Sequence, residues 1–416
     1  MDRRLFLMSG AVGLIDPVTP LVRASAGLSP PTQSGDEGFD AWALDFLTRQ
    51  VAAGWPPEPL RAALAGLTPD PRVVAADRRQ PEFTRSVGDY MAAAVSDDRI
   101  AGGRAGLAAQ HDVLATIQAR FGVDPAILIG VWGLESDFGK TQGDYDVIRS
   151  LATLAADGRR RRWAEGELLA AVRILVAGET PREGLTGSWA GAMGQTQFLP
   201  SMYLKRAVDV DGDGRRDIWG SAPDALGSAA NLLAGAGWRR GQGWAYEAIL
   251  PSGFDFALAE SDSKPPAFWA QRGVRRADGK AWSAADAQAP CVLLVPAGAA
   301  GPAFLALPNH FVIRAYNNST SYALAVGLIA DAAAGSPPLS TPWPVEAPLS
   351  RADRTDAQSA LVALGYDAGA ADGVIGTRTR AALKAWQSAR GLTPDGHLTV
   401  DLAGRLRAEA QPGANQ

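Results

Sequence analysis

From Phe39 to about Ala334 the chain places its apolar residues mainly at helical spacing. Alanine-rich periodic segments near 41–66, 83–95, 107–121, 125–138, 163–177 and 224–236 predict helices, because positions three and four apart share one face. The rhythm breaks over 243–312. There the short apolar runs YEAILP, CVLLVP, AFLALP and HFVIRAY, bounded by Pro, Gly or Asn, predict a few strands. Helical spacing returns at SYALAVGLIADAA. The expected class is mainly α (α+β), a helical body with a small β-containing insertion.

Polar, proline-rich stretches divide this pattern. Residues 1–26 precede a linker at 27–38, GLSPPTQSGDEG. The body at 39–334 ends in AGSPPLSTPWPVEAPLS, whose five prolines mark 335–350 as a linker to a separate unit at 351–408. That unit repeats itself approximately, as LGYDAGAADGVIGTRT and RGLTPDGHLTVD. Within it, a helix over 378–390 would line up Thr379, Ala382, Leu383 and Trp386 on one core-facing stripe. Residues 409–416 read as a tail.

Composition narrows the function. A chain of 416 residues can bury two or three cores, and 47% hydrophobic with 20% charged residues is ordinary for a globular protein. A net charge of −4, with no stripe of basic and aromatic residues, offers nucleic acid no surface. The single cysteine, Cys291, excludes an internal disulfide and a cysteine zinc site, and His111, His310 and His397 lie too far apart to suggest a histidine metal site. The N-terminus, MDRRLFLMSGAVGLIDPVTPLVRASAG, joins an arginine pair to a short apolar run and a small-residue cleavage site at Ala24-Ser25-Ala26. That is the pattern of a signal peptide over 1–26, too short to span a bilayer. Arg3-Arg4-Leu5-Phe6-Leu7 fits twin-arginine export, and a plain Sec signal leads to the same periplasmic address. No cysteine follows the run, so no membrane anchor is expected after cleavage.

The candidate chemistry sits in ILIGVWGLESDFGKTQGDYDVIRS, residues 127–150. Asp124-Pro125 is a helix start and Gly139 a helix stop, which puts Glu135 in the last turn. The negative helix end and the apolar Val131, Trp132 and Phe138 on the same face all disfavour the anion. A glutamic acid kept protonated can donate to a leaving-group oxygen. A solvated glutamate at a helix end is the plainer reading of the same residues. A glycosidase needs a second carboxylate or a substitute for it. Asp137, two residues on, points away from Glu135, whereas Asp144 and Asp146 stay open as partners.

GVWGLESDFGK, GSWAGAMGQTQFLPSMY, VDVDGDGRRDIWGSAPDALGSAANLL and RAYNNSTSYALAV occur in the order found in the lytic murein transglycosylase B family, which this chain resembles over roughly 39–334. The resemblance implies a lysozyme-like helical domain that cleaves the MurNAc-β-1,4-GlcNAc bond of peptidoglycan without water, leaving 1,6-anhydro-MurNAc ends. It implies Glu135 as sole acid/base and no cofactor for catalysis. Ser188, Gln197, Tyr316, Asn317 and Tyr322 match positions lining the family's cleft; Arg159 and Arg160 match a basic pair near the substrate, within a run of four arginines that leaves the register open.

Asp209, Asp211 and Asp213, with Gly214 sixth and Asp217 ninth, read as a calcium loop lacking the glutamate at position twelve, where Gly220 stands. The family closes this loop with a later aspartate, and Asp224 fits after one extra residue, so a structural Ca2+ is implied. The C-terminal unit resembles the three-helix peptidoglycan-binding domain through Asp372-Gly373, Gly376, Thr379, Trp386-Gln387 and Asp395-Gly396. Such a unit would raise the local concentration of enzyme on an insoluble polymer. The implied partners are peptidoglycan glycan strands and, beyond them, cell-wall synthesis enzymes, with a monomer as the expected state. A muramidase-type hydrolase in the same cleft and a non-catalytic wall-binding protein are the competing readings.

Overall fold

A computed structural model describes residues 29–79 and 83–411; the signal-peptide reading of 1–26 lies outside these. The fold is mainly α, with one four-stranded sheet and two short strand pairs. Prolines set many of the boundaries. Pro57, Pro71, Pro125, Pro200 and Pro308 each open a helix, where the missing N–H costs nothing. The helix expected over 41–66 therefore splits, at Trp55-Pro56-Pro57, into Glu37–Ala52 and Pro57–Leu64. The strand expected at HFVIRAY is corrected in the same way. Pro308 starts a helix, Pro308–Ile313, and a short apolar run cannot by its period alone distinguish strand from buried helix.

The chain forms two compact units. The first takes in the described part of Met1–Gln80, then Gln110–Phe121 and Val131–Leu232. Its centre is the helix Val147–Asp157, packed by Arg161–Val176, Glu37–Ala52, Pro57–Leu64 and Pro71–Arg78. Val147, Ile148, Leu151, Ala152 and Ala155 have no exposed surface. Leu151→Ala would cost about 2–5 kcal/mol through lost burial and a residual cavity. No helix was expected at this segment, although Val147, Ile148, Leu151, Leu154 and Ala155 recur at helical spacing behind the Asp146 cap. Glu165, nearly buried beside it, accepts from Trp42 Nε1 at 3.0 Å and pairs with Arg49 at 2.7 Å.

The second unit takes in Pro81–Ala109, Gly122–Gly130 and Leu233–Gln416. Thr320–Ala333 is its central helix, packed by Asp97–Ala109, Val87–Ala94 and Pro308–Ile313. Gly130 meets it closely: a Cβ there would lie 2.4 Å from the Val326 carbonyl oxygen. The sheet is antiparallel, in the order Arg275–Arg276, Ala245–Ile249, Ala303–Ala306, Val292–Leu294, as the runs YEAILP, CVLLVP and AFLALP predict. Trp269, Leu293, Val295, Leu305 and Leu307 fill its core.

The C-terminal helices Arg351–Ala363, Thr377–Ala389 and Val400–Ala410 close over Leu361, Leu383, Trp386 and Leu406. The stripe of Thr379, Ala382, Leu383 and Trp386 is buried as its spacing predicts. The internal repeat has a physical meaning. Each Asp-Gly turn donates its glycine N–H to a buried glutamine, Gly373 to Gln358 Oε1 and Gly396 to Gln387 Oε1, both at 2.8 Å. The proline-rich stretch before these helices is irregular but pinned. Ser340 and Thr341 donate their backbone N–H groups to the Glu247 carboxylate at 2.9 and 2.8 Å, and the Trp343 ring stacks on Phe304. Leu349–Ser350 pairs antiparallel with Phe83–Thr84. Among the described residues no single helix is long and apolar enough to cross a membrane.

Candidate active site

Asp124 Oδ1 accepts the Ala126 N–H at 2.8 Å and Pro125 opens the helix Pro125–Ser136, as the sequence predicts. Ile129, Val131 and Leu134 are buried, and Glu135 is half-buried in the last turn. Beyond Ser136 the backbone is left-handed at three successive residues, Asp137, Phe138 and Gly139, with φ of 50°, 60° and 85°. Two of these carry a Cβ, which costs about 1–3 kcal/mol each and persists only where the surroundings impose it. Here Asp137 N–H bonds to Gly133 O at 3.1 Å, Gly139 N–H to Ser136 Oγ at 2.9 Å, and the Phe138 ring stands edge-on to Trp132.

Three glutamines hold the turn. Gln195, 5% exposed, accepts from Trp132 Nε1 at 2.9 Å and donates to the Trp219 carbonyl at 3.1 Å. Gln142 Nε2 donates to the same carbonyl at 3.0 Å and to Gly139 O at 3.1 Å. Gln197 Nε2 donates to Gln142 O at 2.8 Å and to Gly194 O at 3.0 Å, from a left-handed backbone at φ 54°. Gly139 leaves room for this network, since a Cβ there would come within 2.7 Å of Gln195 Oε1. Ser188 sits at the end of the strand pair Tyr145–Asp146 with Thr186–Gly187, its Oγ accepting from Ala192 N–H at 3.1 Å. Amides are neutral, so they fix the turn beside Glu135 without adding net charge there.

The nearby aspartates have other duties. Asp137 pairs with Lys140 at 3.3 Å. Asp146 caps the helix Val147–Asp157 by accepting Arg149 N–H at 2.9 Å and takes Arg182 at 2.7 Å. Asp144 is exposed. Arg159 and Arg160 both turn onto the buried Asp77, at 3.1 and 3.2 Å, so their charge neutralises a carboxylate of their own unit. Tyr316, Asn317 and Tyr322 belong to the second unit. There the two tyrosine rings stack at 6.3 Å, and Ser319, whose N–H bonds Asn317 O at 2.6 Å, caps the helix that carries the buried Tyr322.

The acidic loop lies in the first unit. Asp209, Asp211 and Asp213 bring carboxylate oxygens within 4.8 Å of one another. Asp209 accepts from Gly212 and Gly214 N–H, and Asp211 from the Ser221 hydroxyl. Asp224 departs from the expected closing ligand. It is buried, and its two oxygens accept Val210 N–H at 2.7 Å and Asp217 N–H at 2.8 Å, tying the ends of the loop together. Burial pushes its carboxyl above the ordinary range, against the pull of those two N–H groups. Three clustered carboxylates in one small loop suit a hard divalent cation.

Sequence reasoning missed Gln142, Gln195 and Trp219. The signal was faint but physical: a glutamine inside a glycine-rich turn, as in GAMGQTQF, must find backbone partners if it is buried.

Residues 38–331 match the profile of the transglycosylase SLT domain, and residues 350–406 that of a peptidoglycan binding domain. Over 230 residues the chain is 32% identical to the membrane-bound lytic murein transglycosylase B of Escherichia coli strain K12; the match takes in 54% of this chain and 61% of that relative's length. A crystal structure of SltB3 from Pseudomonas aeruginosa, in complex with NAG-NAM-pentapeptide, is similar over 89% of this chain and all of its own, at 46% identity and a TM-score of 0.86. The Escherichia coli lytic transglycosylase Slt35 in complex with calcium is similar over 70% of this chain and 92% of its own, at 28% identity and a TM-score of 0.61.

Proposed function

The chain belongs to the transglycosylase SLT domain family, and from that membership we propose that it is a lytic transglycosylase of peptidoglycan with Glu135 as its acid and its base. The observation that carries this reading is Glu135 itself: one half-buried carboxyl at the end of an apolar helix, on a turn strained into left-handed backbone and fixed by neutral amides. Glu135 donates its proton to the oxygen linking MurNAc C1 to GlcNAc, and the C1–O bond breaks. The acetamido oxygen of MurNAc stabilises the cationic C1, the substitute for a second carboxylate. Glu135, now ionised, takes the proton of the MurNAc C6 hydroxyl as that oxygen bonds C1. The products are a 1,6-anhydro-MurNAc end and a free GlcNAc 4-hydroxyl, with no water consumed.

Ser188 and Gln197 orient the sugar and its acetamido group, and Asn317 with Tyr316 binds sugar hydroxyls and C–H faces; Tyr322, expected beside them, is buried and backs the Tyr316 ring instead. That Asp146 is engaged by Arg149 and Arg182 supports a mechanism with one carboxylate. Arg159 and Arg160 are proposed to present their remaining N–H donors to substrate carboxylates while holding Asp77. Asp209, Asp211 and Asp213 are the residues proposed to hold Ca2+, with Asp224 organising the loop; the ion would neutralise them and stiffen the loop, with no part in bond cleavage. The C-terminal helices are proposed to hold the enzyme on the wall polymer, and the periplasm to be its compartment.

Mass spectrometry of the products from purified peptidoglycan tests the reading. Muramoyl ends lighter by one water are expected. Reducing ends would make the protein a muramidase, and intact glycan after full binding would make it a wall-binding protein.

A further inference from the structure

The C-terminal helices have one face already occupied within their own unit. Arg380 donates to the Glu260 carboxylate at 2.6 and 2.8 Å, and Lys384 Nζ to the carbonyls of Phe256 and Ala259 at 3.0 and 2.7 Å. Asp395 accepts the Ala299 N–H at 2.8 Å, and His397 meets Glu346 at 2.8 Å. Glu260 takes up a left-handed backbone, φ 59°, to make its pair. That face is closed to a ligand by these contacts.

Elsewhere there is a hollow of about 430 Å³, between the end of Arg351–Ala363 and the start of Thr377–Ala389. Val362, Tyr366, Asp367, Ala370 and Arg378 line it. Its apolar part includes Val362, 52% exposed although it stands on a core-forming helix. Its polar part is the pair Arg378–Asp367, with hydrogen bonds of 2.5 and 2.7 Å and side chains 69% and 75% exposed. One guanidinium nitrogen makes both bonds, so the other N–H donors of Arg378 and the outer lone pairs of Asp367 face solvent.

We propose that this hollow is a binding site for the stem peptide of peptidoglycan. The inference rests on the reading of the chain as a peptidoglycan enzyme and goes further by naming the polymer's peptide as the feature recognised. A glycan strand is mostly hydroxyls and acetamido groups and calls for aromatic platforms and amides. The one aromatic side chain in the lining, Tyr366, has its hydroxyl engaged by Arg390 at 3.2 Å, and a guanidinium beside a carboxylate, over exposed valine and alanine, matches a short peptide that carries a carboxylate, an ammonium and methyl side chains. The Arg378 guanidinium takes the peptide carboxylate in a fork of N–H donors, Asp367 takes an ammonium, and Val362 and Ala370 cover alanyl methyls.

The test uses the full chain carrying Glu135→Gln, so that the polymer survives, and measures co-sedimentation with insoluble sacculi. Two preparations are compared, intact sacculi and sacculi stripped of stem peptides by an amidase. Arg378→Ala and Asp367→Ala should each weaken binding to intact sacculi by about tenfold, the loss of one charge-assisted contact. On stripped sacculi all the proteins should bind alike, through the cleft alone. The exchange Asp367→Arg with Arg378→Asp restores the ion pair, so it should recover the parent's Tm while binding intact sacculi as weakly as the single variants. Equal binding of variants and parent to intact sacculi would overturn the proposal, as would a parent that binds stripped sacculi as well as intact ones. Product analysis of the wild-type chain stands apart: anhydro ends with unchanged variant binding would sink only this inference, and reducing ends with the predicted binding pattern would sink only the catalytic reading.

Discussion

Two irregular segments of the first unit are both organised by side chains bonding backbone, yet with opposite electrostatics. The turn after Ser136 is held by Gln142, Gln195 and Gln197, which donate to four carbonyls and are neutral. The loop from Asp209 is held by carboxylates that accept from N–H groups and repel one another. The amide-held turn is complete as it stands and adds no net charge beside Glu135. The carboxylate-held loop gains most from a cation. The chemistry of each segment explains the difference. On the proposed reading, a proton-transferring carboxyl is served by neutral donors that fix its backbone, whereas a cation site is served by clustered carboxylates.

The largest effect should come from removing the titrating group. Glu135→Gln is expected to lower the cleavage rate at least about 1,000-fold, within the range by which positioned acids and bases act, with Tm unchanged within about 2 °C. Residual activity above about a tenth of the parent's would remove Glu135 from the centre. Next comes the amide frame. Gln195→Leu leaves the Trp132 N–H without its buried partner, at about 1–3 kcal/mol, and the Trp219 carbonyl with Gln142 alone. Urea unfolding and kcat should both fall. Gln195→Glu, similar in shape but anionic, should do no better, because a carboxylate has no proton for the Trp219 carbonyl. Full kcat in either variant would show that the frame does not govern the turn.

The charged loop is probed by its ion. Calcium at about 100 times its Kd should add about 2.7 kcal/mol of stability, seen as a Tm several degrees higher than in chelator. Asp211→Asn with Asp213→Asn should erase that difference, and a Tm indifferent to calcium would remove the ion from the loop.

The last effect is a change of slope, and it concerns two buried titratable groups held neutral around Trp244 in the second unit. His310 stacks on the Trp244 ring at 6.1 Å with no hydrogen bond to either ring nitrogen, and burial, with Arg314 adding repulsion, pushes it down to about 3. Asp331 accepts from Trp244 Nε1 at 3.1 Å, and desolvation, with Asp124 adding repulsion, pushes it up to about 7. His310 stays neutral when folded, so its contribution is complete above pH 6.5 and is lost as pH falls toward 3. Asp331 stays protonated when folded, so its contribution is complete below pH 3.8 and is lost as pH rises through 7. Between about pH 4 and 6.5 the two slopes, about 1.4 kcal/mol per pH unit each, oppose one another. Asp331→Asn should uncover the His310 slope, so that unfolding free energy rises with pH across this window relative to the parent. Parallel pH profiles for variant and parent would contradict it.

The legible part of the molecule was where one short stretch carries its own constraint. Asp124-Pro125 and Gly139 marked the two sides of the helix of Glu135, and apolar runs located three strands of the sheet. Illegible were the features that depend on partners distant in sequence. HFVIRAY satisfied a strand pattern until Pro308 is placed at a helix start, whereas the helix Val147–Asp157 carries helical apolar spacing that went unread behind the polar run GKTQGDYD. Gln195 is one polar letter in a glycine-rich run, and only its contacts with Trp132, 63 residues away, and with Trp219 give it a role. Arg159 and Arg160 stood out as a basic run, yet their ion-pair partner Asp77 lies far upstream.

The central claim is that one carboxyl, held by neutral amides, moves a proton out and back without admitting water to C1. Digestion of peptidoglycan in water enriched in oxygen-18 tests this most directly. The account predicts muramoyl products that carry no oxygen-18 and are lighter than reducing ends by one water. Oxygen-18 at C1 of those products would mean that water is the nucleophile and would contradict the account.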